Sequence, residues 1–218
     1  MGRKWSGPRV VLAGLALMVG GSWHDARGVE PAGDVAHGRA LYGLCATCHG
    51  AEGAGDASRG APPLAGLEPW YVEAQLQKFR KGWRGYHPDD VRGLQMRPMA
   101  AALASDQDIR DVVAFVATLP RTAQPKTLEG DAARGQPLFA PCAACHGPAG
   151  EGNRALNAPA LAGQADWYLA RQVQSFQHGL RGTHPEDVTG AQMRAMAATV
   201  SGDQALADLA VYIAALAR

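Results

Sequence analysis

The sequence carries little excess charge of either sign. Its 218 residues include 21 Lys and Arg against 20 Asp and Glu, with 47% hydrophobic and 19% charged residues. This composition is typical of an ordinary soluble globular protein and argues against disorder. Because the charge is nearly balanced, the sequence gives no support for a nucleic-acid partner.

Long apolar runs are also lacking. The N-terminal run that starts at Val10 has about 12 residues, whereas about 20 are needed to span a hydrocarbon core of about 30 Å. A basic stretch with Arg3, Lys4 and Arg9 precedes it, in the order of a secretory signal peptide. We therefore predict a signal peptide over residues 1–28 and export to the periplasm, with a permanent membrane anchor as the weaker alternative. Cleavage there leaves 17 basic and 19 acidic side chains.

Only four cysteines are present, and they lie in two frames of the form Cys-x-x-Cys-His. An exported protein normally uses cysteines for disulfides. In this frame, however, the two thiols lie close enough to form thioethers with both vinyl groups of a haem, and the adjacent imidazole then points at the iron. We predict two covalently bound haem c groups, held by Cys45, Cys48, Cys142 and Cys145, with His49 and His146 as iron ligands.

Three other kinds of site use paired cysteines. A thioredoxin-like redox pair lies in a βαβ unit, and no strands are indicated around either frame. The two pairs of a zinc site are usually about 15–20 residues apart, whereas these pairs are separated by 97. Structural disulfides are the third alternative.

The offset of 97 residues relates much of the remaining chain, so the chain is a tandem duplication. A polar linker with Pro120 and Pro125 separates the copies. We predict domains over 29–122 and 128–218. The recurring pairs include Leu64/Leu161, Trp70/Trp167, Tyr71/Tyr168, Phe79/Phe176, Arg84/Arg181 and Met96/Met193.

The apolar spacing predicts helices, and no segment alternates long enough to predict a sheet. Asp34 and Asp131 are placed to cap a first helix that runs toward the cysteines. A second helix opens at Pro69, where the first turn tolerates proline. The fold class is therefore all-α. A capping box is expected to open the last helix of each copy, formed by Ser105 and Asp108 and by Ser201 and Gln204.

A haem iron with a second protein ligand is restricted to electron transfer, whereas one with a single ligand is open to small molecules. A second ligand must recur in both copies, and the offset alone cannot choose among the candidates. Methionines at this spacing also serve as core residues, and the histidines lie in polar His-Pro segments that favour a solvated loop or a backbone hydrogen bond. The candidates are Met96/Met193, Met99/Met196 and His87/His184.

The Cys-x-x-Cys-His frames, the prolines ahead of Leu-Ala-Gly and the Met-x-x-Met-Ala-Ala segments resemble class I cytochromes c, and the tandem arrangement is similar to the dihaem cytochrome c4 family. The resemblance implies two small helical domains, each around one haem. In that family the axial methionine lies seven residues before the apolar residue that closes the haem loop. Here those apolar residues are Leu103 and Val200, which selects Met96 and Met193 as the axial ligands.

The same resemblance implies further contacts around each haem. The carbonyls of Pro62 and Pro159 are expected to accept a hydrogen bond from the second ring nitrogen of the axial histidines. The first and last helices are expected to cross at Gly38 and Gly135. Four recurring arginines beside the haem loops are candidates to pair with haem propionates, with solvated side chains as the alternative. They are Arg84, Arg181, Arg97 and Arg194.

Two His/Met haems predict an electron-transfer protein rather than an enzyme. We expect a quinol-oxidising complex or a dehydrogenase as donor and a terminal oxidase or reductase as acceptor. The alternatives are a dihaem enzyme of the peroxidase or thiosulfate-oxidising type and a cytochrome subunit of a larger dehydrogenase or oxidase complex, with peripheral association with membrane complexes. Lysine is scarce, so the usual lysine-ringed docking face is not obvious, although Lys78, Arg80, Lys81 and Arg84 form one basic cluster.

Overall fold

The computed structural model describes residues 1–2 and 32–216, so the signal peptide predicted over 1–28 lies outside the described residues apart from its first two positions. Between residues 32 and 216 the chain forms eight α-helices and no strand, which confirms the all-α prediction. None of these helices is long and apolar enough to cross a membrane. The helices are α1 (Val35–His49), α2 (Pro69–Arg80), α3 (Val91–Ala101), α4 (Asp106–Ala117), α5 (Ala132–His146), α6 (Asp166–Gln177), α7 (Val188–Ala197) and α8 (Asp203–Ala215), with a short 3-10 helix at Arg154–Leu156.

The first helix of each copy begins where the sequence predicts. The Asp34 carboxylate accepts hydrogen bonds from the first backbone amides of α1, and Asp131 does the same for α5. Such caps satisfy amide groups that have no partner within the helix. Each helix ends directly after its Cys-x-x-Cys-His frame, at Gly50 and Gly147, so the iron-ligand candidates lie in the last turn.

The first and last helices of each copy cross at a glycine, as predicted. A Cβ atom at Gly38 would lie 1.9 Å from the carbonyl oxygen of Asp111, and one at Gly135 would lie 2.1 Å from that of Asp208. The crossing also brings aromatic rings together, because the centroids of Tyr42 and Phe115 are 5.1 Å apart. Only glycine permits helices this close.

The last helices differ in how they begin. Ser105 and Asp108 form the predicted capping box of α4. The matching prediction for Ser201 is wrong, because α8 begins one residue later with Gly202 as its N-cap and no side-chain cap. The offset of 97 places Gly202, not Ser201, opposite Ser105. Gly202 has φ of 89°, which favours glycine over a side chain able to cap.

The methionine segments are helices rather than the loops that we predicted. Met96 lies in the middle of α3 and Met193 in the middle of α7. Each of these helices opens with an aspartate, Asp90 or Asp187, that accepts a hydrogen bond from the backbone amide three residues on. The methionines are thus held on short capped helices that pack against α2 and α6.

Candidate haem sites

The two histidines of the cysteine frames are buried and held in the same way. His49 and His146 are each 5% exposed. The Nδ1 atom of His49 lies 2.8 Å from the carbonyl oxygen of Pro62, and that of His146 lies 2.7 Å from the oxygen of Pro159. A carbonyl can only accept, so Nδ1 carries the proton and donates it. The Nε2 lone pair of each ring is therefore left for a metal.

The protonation state of these histidines also suits a ligand. Burial lowers the pKa of both His49 and His146, and the hydrogen bond to the proline carbonyl opposes this effect only in part. The imidazoles are therefore neutral around pH 7, which is the form that binds metals.

A cavity of about 890 Å³ lies in the first copy, and part of its wall comes from the second copy. Cys45, Cys48 and His49 line one part of it, and Met96 and Met99 line another. The remaining wall is largely apolar, which excludes water and suits a flat hydrophobic cofactor. The apolar lining includes Leu64, Leu67, Leu76, Val112 and Val116.

The exposure of the thiols is the same in the two copies, whereas that of Met99 and Met196 differs. Cys45 and Cys142 are half-buried, Cys48 and Cys145 are exposed, and no disulfide joins the four. In the second copy Met193 is half-buried, whereas Met196 is 39% exposed. In the first copy, two adjacent thiols, a histidine with Nε2 available and a thioether line the same cavity, which fits a covalently bound haem c.

The recurring arginines fall into two classes. Arg84 and Arg181 are each only 8% exposed, so the solvated alternative is wrong for them. Each stacks on a ring of its own copy, with the guanidinium carbon 4.2 Å from the Phe79 centroid and 4.4 Å from the Phe176 centroid. Arg97 and Arg194 are exposed, and Arg97 donates to the Gly85 carbonyl at 3.3 Å.

Of the four residues in the basic cluster noted in the sequence, Lys81 is the exposed one. Lys78 is 15% exposed and donates to the Asp187 carboxylate of the second copy at 2.6 Å. Arg84 is buried, and Arg80 pairs with Asp106. The repeat gave no signal for the Lys78 contact, because the offset places Ser175 at the corresponding position.

The remaining histidine candidates make local contacts. The Nδ1 atoms of His87 and His184 each accept a backbone hydrogen bond at 3.2 Å from the residue two positions on. His184 also lies 4.8 Å from the Tyr86 ring of the first copy. His37 pairs with Asp111, with 2.7 Å between Nδ1 and the carboxylate oxygen. These contacts leave the cavity to the methionines.

Comparisons with known proteins agree with this geometry. A family model described as Cytochrome c matches residues 35–120 and 132–217. Cytochrome c4 from Azotobacter vinelandii is 32% identical over 198 residues, covering 85% of this chain and 90% of its own length. A protein named thiosulfate dehydrogenase electron acceptor, from Stutzerimonas stutzeri (strain A1501), is 38% identical over 163 residues, covering 70% of this chain and 71% of the relative.

The fold also matches solved structures. The crystal structure of reduced recombinant cytochrome c4 from Pseudomonas stutzeri superimposes with a TM-score of 0.68 at 31% identity. It covers 85% of this chain and 100% of the solved chain. The likeness is therefore not confined to one of the two copies.

Proposed function

This chain belongs to the cytochrome c family, with the tandem dihaem arrangement of cytochrome c4, and on that premise we propose that it is a periplasmic one-electron carrier between two redox proteins. It carries two covalently bound haem c groups, one on each Cys-x-x-Cys-His frame. We propose that His49 and Met96 hold the first iron and that His146 and Met193 hold the second.

The observation that carries this proposal is the equivalence of the two ligand sets. In each copy a buried histidine is fixed by a proline carbonyl at 2.7–2.8 Å, and a half-buried methionine lies at the same register of a short capped helix. A haem held by histidine and methionine supplies an iron that takes up and releases one electron. The chain's own contribution is to fix the histidine ring, to provide the thioether and to keep water away.

An enzyme would need an asymmetry that the ligand sets lack. A dihaem peroxidase or a thiosulfate-oxidising cytochrome needs one open or differently ligated iron. Here His49 and His146 have the same hydrogen-bond partner type, and Met96 and Met193 have the same place in α3 and α7. The electron-carrier hypothesis therefore accounts for both sites with the same pair of iron ligands.

The similarity to a thiosulfate dehydrogenase electron acceptor favours a specific donor. That relative is 38% identical to this chain, and its name describes receipt of electrons rather than oxidation of substrate. We propose a periplasmic dehydrogenase, with thiosulfate dehydrogenase as the candidate, as the donor. A quinol-oxidising complex is the second candidate donor, and a terminal oxidase or reductase is the expected acceptor.

Two measurements test the proposal. The reduced exported protein is mixed with carbon monoxide, and we expect no binding at either haem, because both axial positions are filled. Uptake of one equivalent would overturn the carrier assignment and favour the enzyme. The oxidised protein is then mixed with thiosulfate dehydrogenase, with and without thiosulfate, in a stopped-flow instrument. Reduction only when thiosulfate is present supports the proposed donor, and no reduction with thiosulfate excludes it.

A further inference from the structure

Three arginines meet where the two copies contact each other, at the edge of the first cavity. Arg84 belongs to the first copy, and Arg171 and Arg181 belong to the second. All three line the cavity that contains Cys45 and His49. Side chains of the second copy therefore form part of the haem site of the first.

The hydrogen-bond partners of these cations in the structure are neutral. Arg84 donates to the amide oxygen of Gln75 at 2.9 Å and to that of Gln172 at 3.4 Å, and Arg181 makes the reciprocal contacts. Arg171 donates to the Gly60 carbonyl at 2.5 Å. The neighbouring carboxylate of Asp90 accepts from the Gly93 amide.

Each of the three guanidinium groups retains an unused donor. Among the described residues, the buried side-chain nitrogen and oxygen atoms without a hydrogen-bond partner are the Nε atoms of Arg84, Arg171 and Arg181. Burial and the charge of Arg84 both lower the pKa of Arg181 and of Arg171. Buried cations close to one another are costly unless an anion accompanies them. Arg84 and Arg181 are buried and Arg171 is half-buried, so an anion in the cavity would stabilise the cluster and use its free donors.

One member of the cluster breaks the symmetry of the duplication. Arg84 and Arg181 are related by the offset of 97, but Arg171 corresponds to Ala74. Its target also differs, because Gly60 corresponds to Asn157. A Cβ atom at Gly60 would lie 2.6 Å from Nη1 of Arg171, so a side chain at this position would displace the end of the guanidinium group. Because position 74 is alanine, the first copy has no equivalent arginine that could make the reciprocal contact with the second copy.

We propose that Arg171, with Arg181, is a propionate-binding residue that the second domain supplies to the haem of the first domain. The two propionates are carboxylates at one edge of the haem, and guanidinium groups bind carboxylates with paired, charge-assisted hydrogen bonds. A cation beside a haem favours its less positive, reduced state. The first haem thereby gains a charge contact that the second lacks, which sets the two potentials apart.

The inference rests on the proposed placement of the first haem in this cavity, and variants of Arg171 test it. Arg171→Ala recreates the residue of the first copy, and Arg171→Lys keeps the charge. Arg39→Gln, which removes an exposed cation of the first domain that does not line the cavity, is the matched control. The two midpoint potentials are followed separately in the intact dihaem protein through the haem methyl NMR signals assigned to each domain.

We expect Arg171→Ala to lower the potential of the first haem by about a tenfold shift in its reduction equilibrium, about 59 mV for one electron. The second haem should shift less, Arg171→Lys should recover most of the loss, and Arg39→Gln should change neither potential appreciably. An unchanged first haem, or a larger shift at the second, would overturn the inference. The axial-ligand signals are recorded on the same samples, so an error in the proposed ligation is detected separately.

Discussion

The two domains share the Cys-x-x-Cys-His frame and differ in the side chain that connects their first and last helices. In the first domain the side chain that bridges the first and last helices is His37, which pairs with Asp111 at 2.7 Å. In the second, the offset places Arg134 there, and it pairs with Asp208 at the same distance. Asp111 and Asp208 also accept a hydrogen bond from the backbone amide of Asp34 and of Asp131, respectively. The same contact between the first and last helices is thus made by a titratable histidine in the first domain and by a permanently charged arginine in the second.

A second difference lies at the contact between the domains. Lys78, Glu68 and Gly60 of the first copy correspond to Ser175, Ala165 and Asn157 in the second. Lys78 bonds Asp187, Glu68 accepts from the Ala160 amide at 2.8 Å, and Gly60 receives Arg171. The repeat therefore preserved the proposed haem ligands and the reciprocal contacts of Arg84 and Arg181, and it diverged at these three contact positions.

The largest effect that we expect comes from removing one methionine at a time. Met96→Ala should open the first iron and Met193→Ala the second, so each reduced variant should bind one carbon monoxide per chain and lose half of the His/Met signal. The control Met99→Leu should bind none, because it keeps the proposed ligand. Equal carbon monoxide binding by Met99→Leu and Met96→Ala would reassign the first ligand.

A smaller effect is expected from the helix crossings, and it should be equal in the two domains. Gly38→Ala and Gly135→Ala each place a methyl group against a backbone carbonyl, and overpacking of this kind costs about 1–3 kcal/mol. Gly43→Ala lies in the same helix as Gly38 with no atom within 4 Å of the added Cβ, so it should stabilise by about 0.5–1 kcal/mol. Urea unfolding of the haem-loaded protein measures all three. A harmless Gly38→Ala would show that the crossing is looser than described.

The start of the last helix should distinguish the domains. Ser105→Ala removes the capping box of α4 and should cost about 1 kcal/mol. Ser201→Ala should stay within about 0.5 kcal/mol of the parent, because this exposed residue precedes the N-cap Gly202 of α8. The same urea titrations compare them, and a loss at Ser201 as large as at Ser105 would restore the symmetric capping that the structure contradicts.

The smallest expected effect is the pH dependence contributed by the His37–Asp111 pair, which the Arg134–Asp208 pair of the second domain lacks. The carboxylate of Asp111 raises the pKa of His37 above its ordinary value of 6.5. A raised folded pKa gives stability that is complete below pH 6.5 and is lost as the pH rises through the folded pKa. Arg134 stays charged over this range, and its pair with Asp208, whose pKa is lowered, weakens only in strong acid.

The difference in unfolding free energy between the parent and His37→Gln, measured at several pH values, isolates this contribution. We expect the parent to be more stable at pH 5 to 6 and the difference to shrink toward pH 8. A His37→Arg variant should remain more stable than His37→Gln at both pH 5 and pH 8. A difference that grows with pH would mean that His37 does not act through its charged form.

The sequence was sufficient for the parts of the molecule that local chemistry determines. Asp34 and Asp131 predicted the starts of α1 and α5, because a cap depends on a single residue type. The crossing at Gly38 was predicted from the family resemblance. Position 202 shows the limit of this reasoning. A serine near the expected place suggested a cap at Ser201, but the repeat register and a glycine with positive φ decided where α8 begins.

The interface could not be predicted in the same way. A tandem offset highlights residues that recur, and Arg171 and Lys78 have no equivalent in the other copy. In the sequence Lys78 stands out only as one of four neighbouring basic residues, whereas in the structure it is 15% exposed and pairs with Asp187. Long-range contacts between repeats depend on how the domains pack, which a repeat alignment does not contain.

The equivalence of the two ligand sets is the central claim, and near-infrared magnetic circular dichroism of the fully oxidised dihaem protein tests it most directly. The spectrum reports the axial ligands at each iron and is normalised to haem per chain. We predict two equivalents of His/Met signal. One His/Met haem beside a high-spin or differently ligated haem would contradict the account and would make the dihaem enzyme the function to pursue.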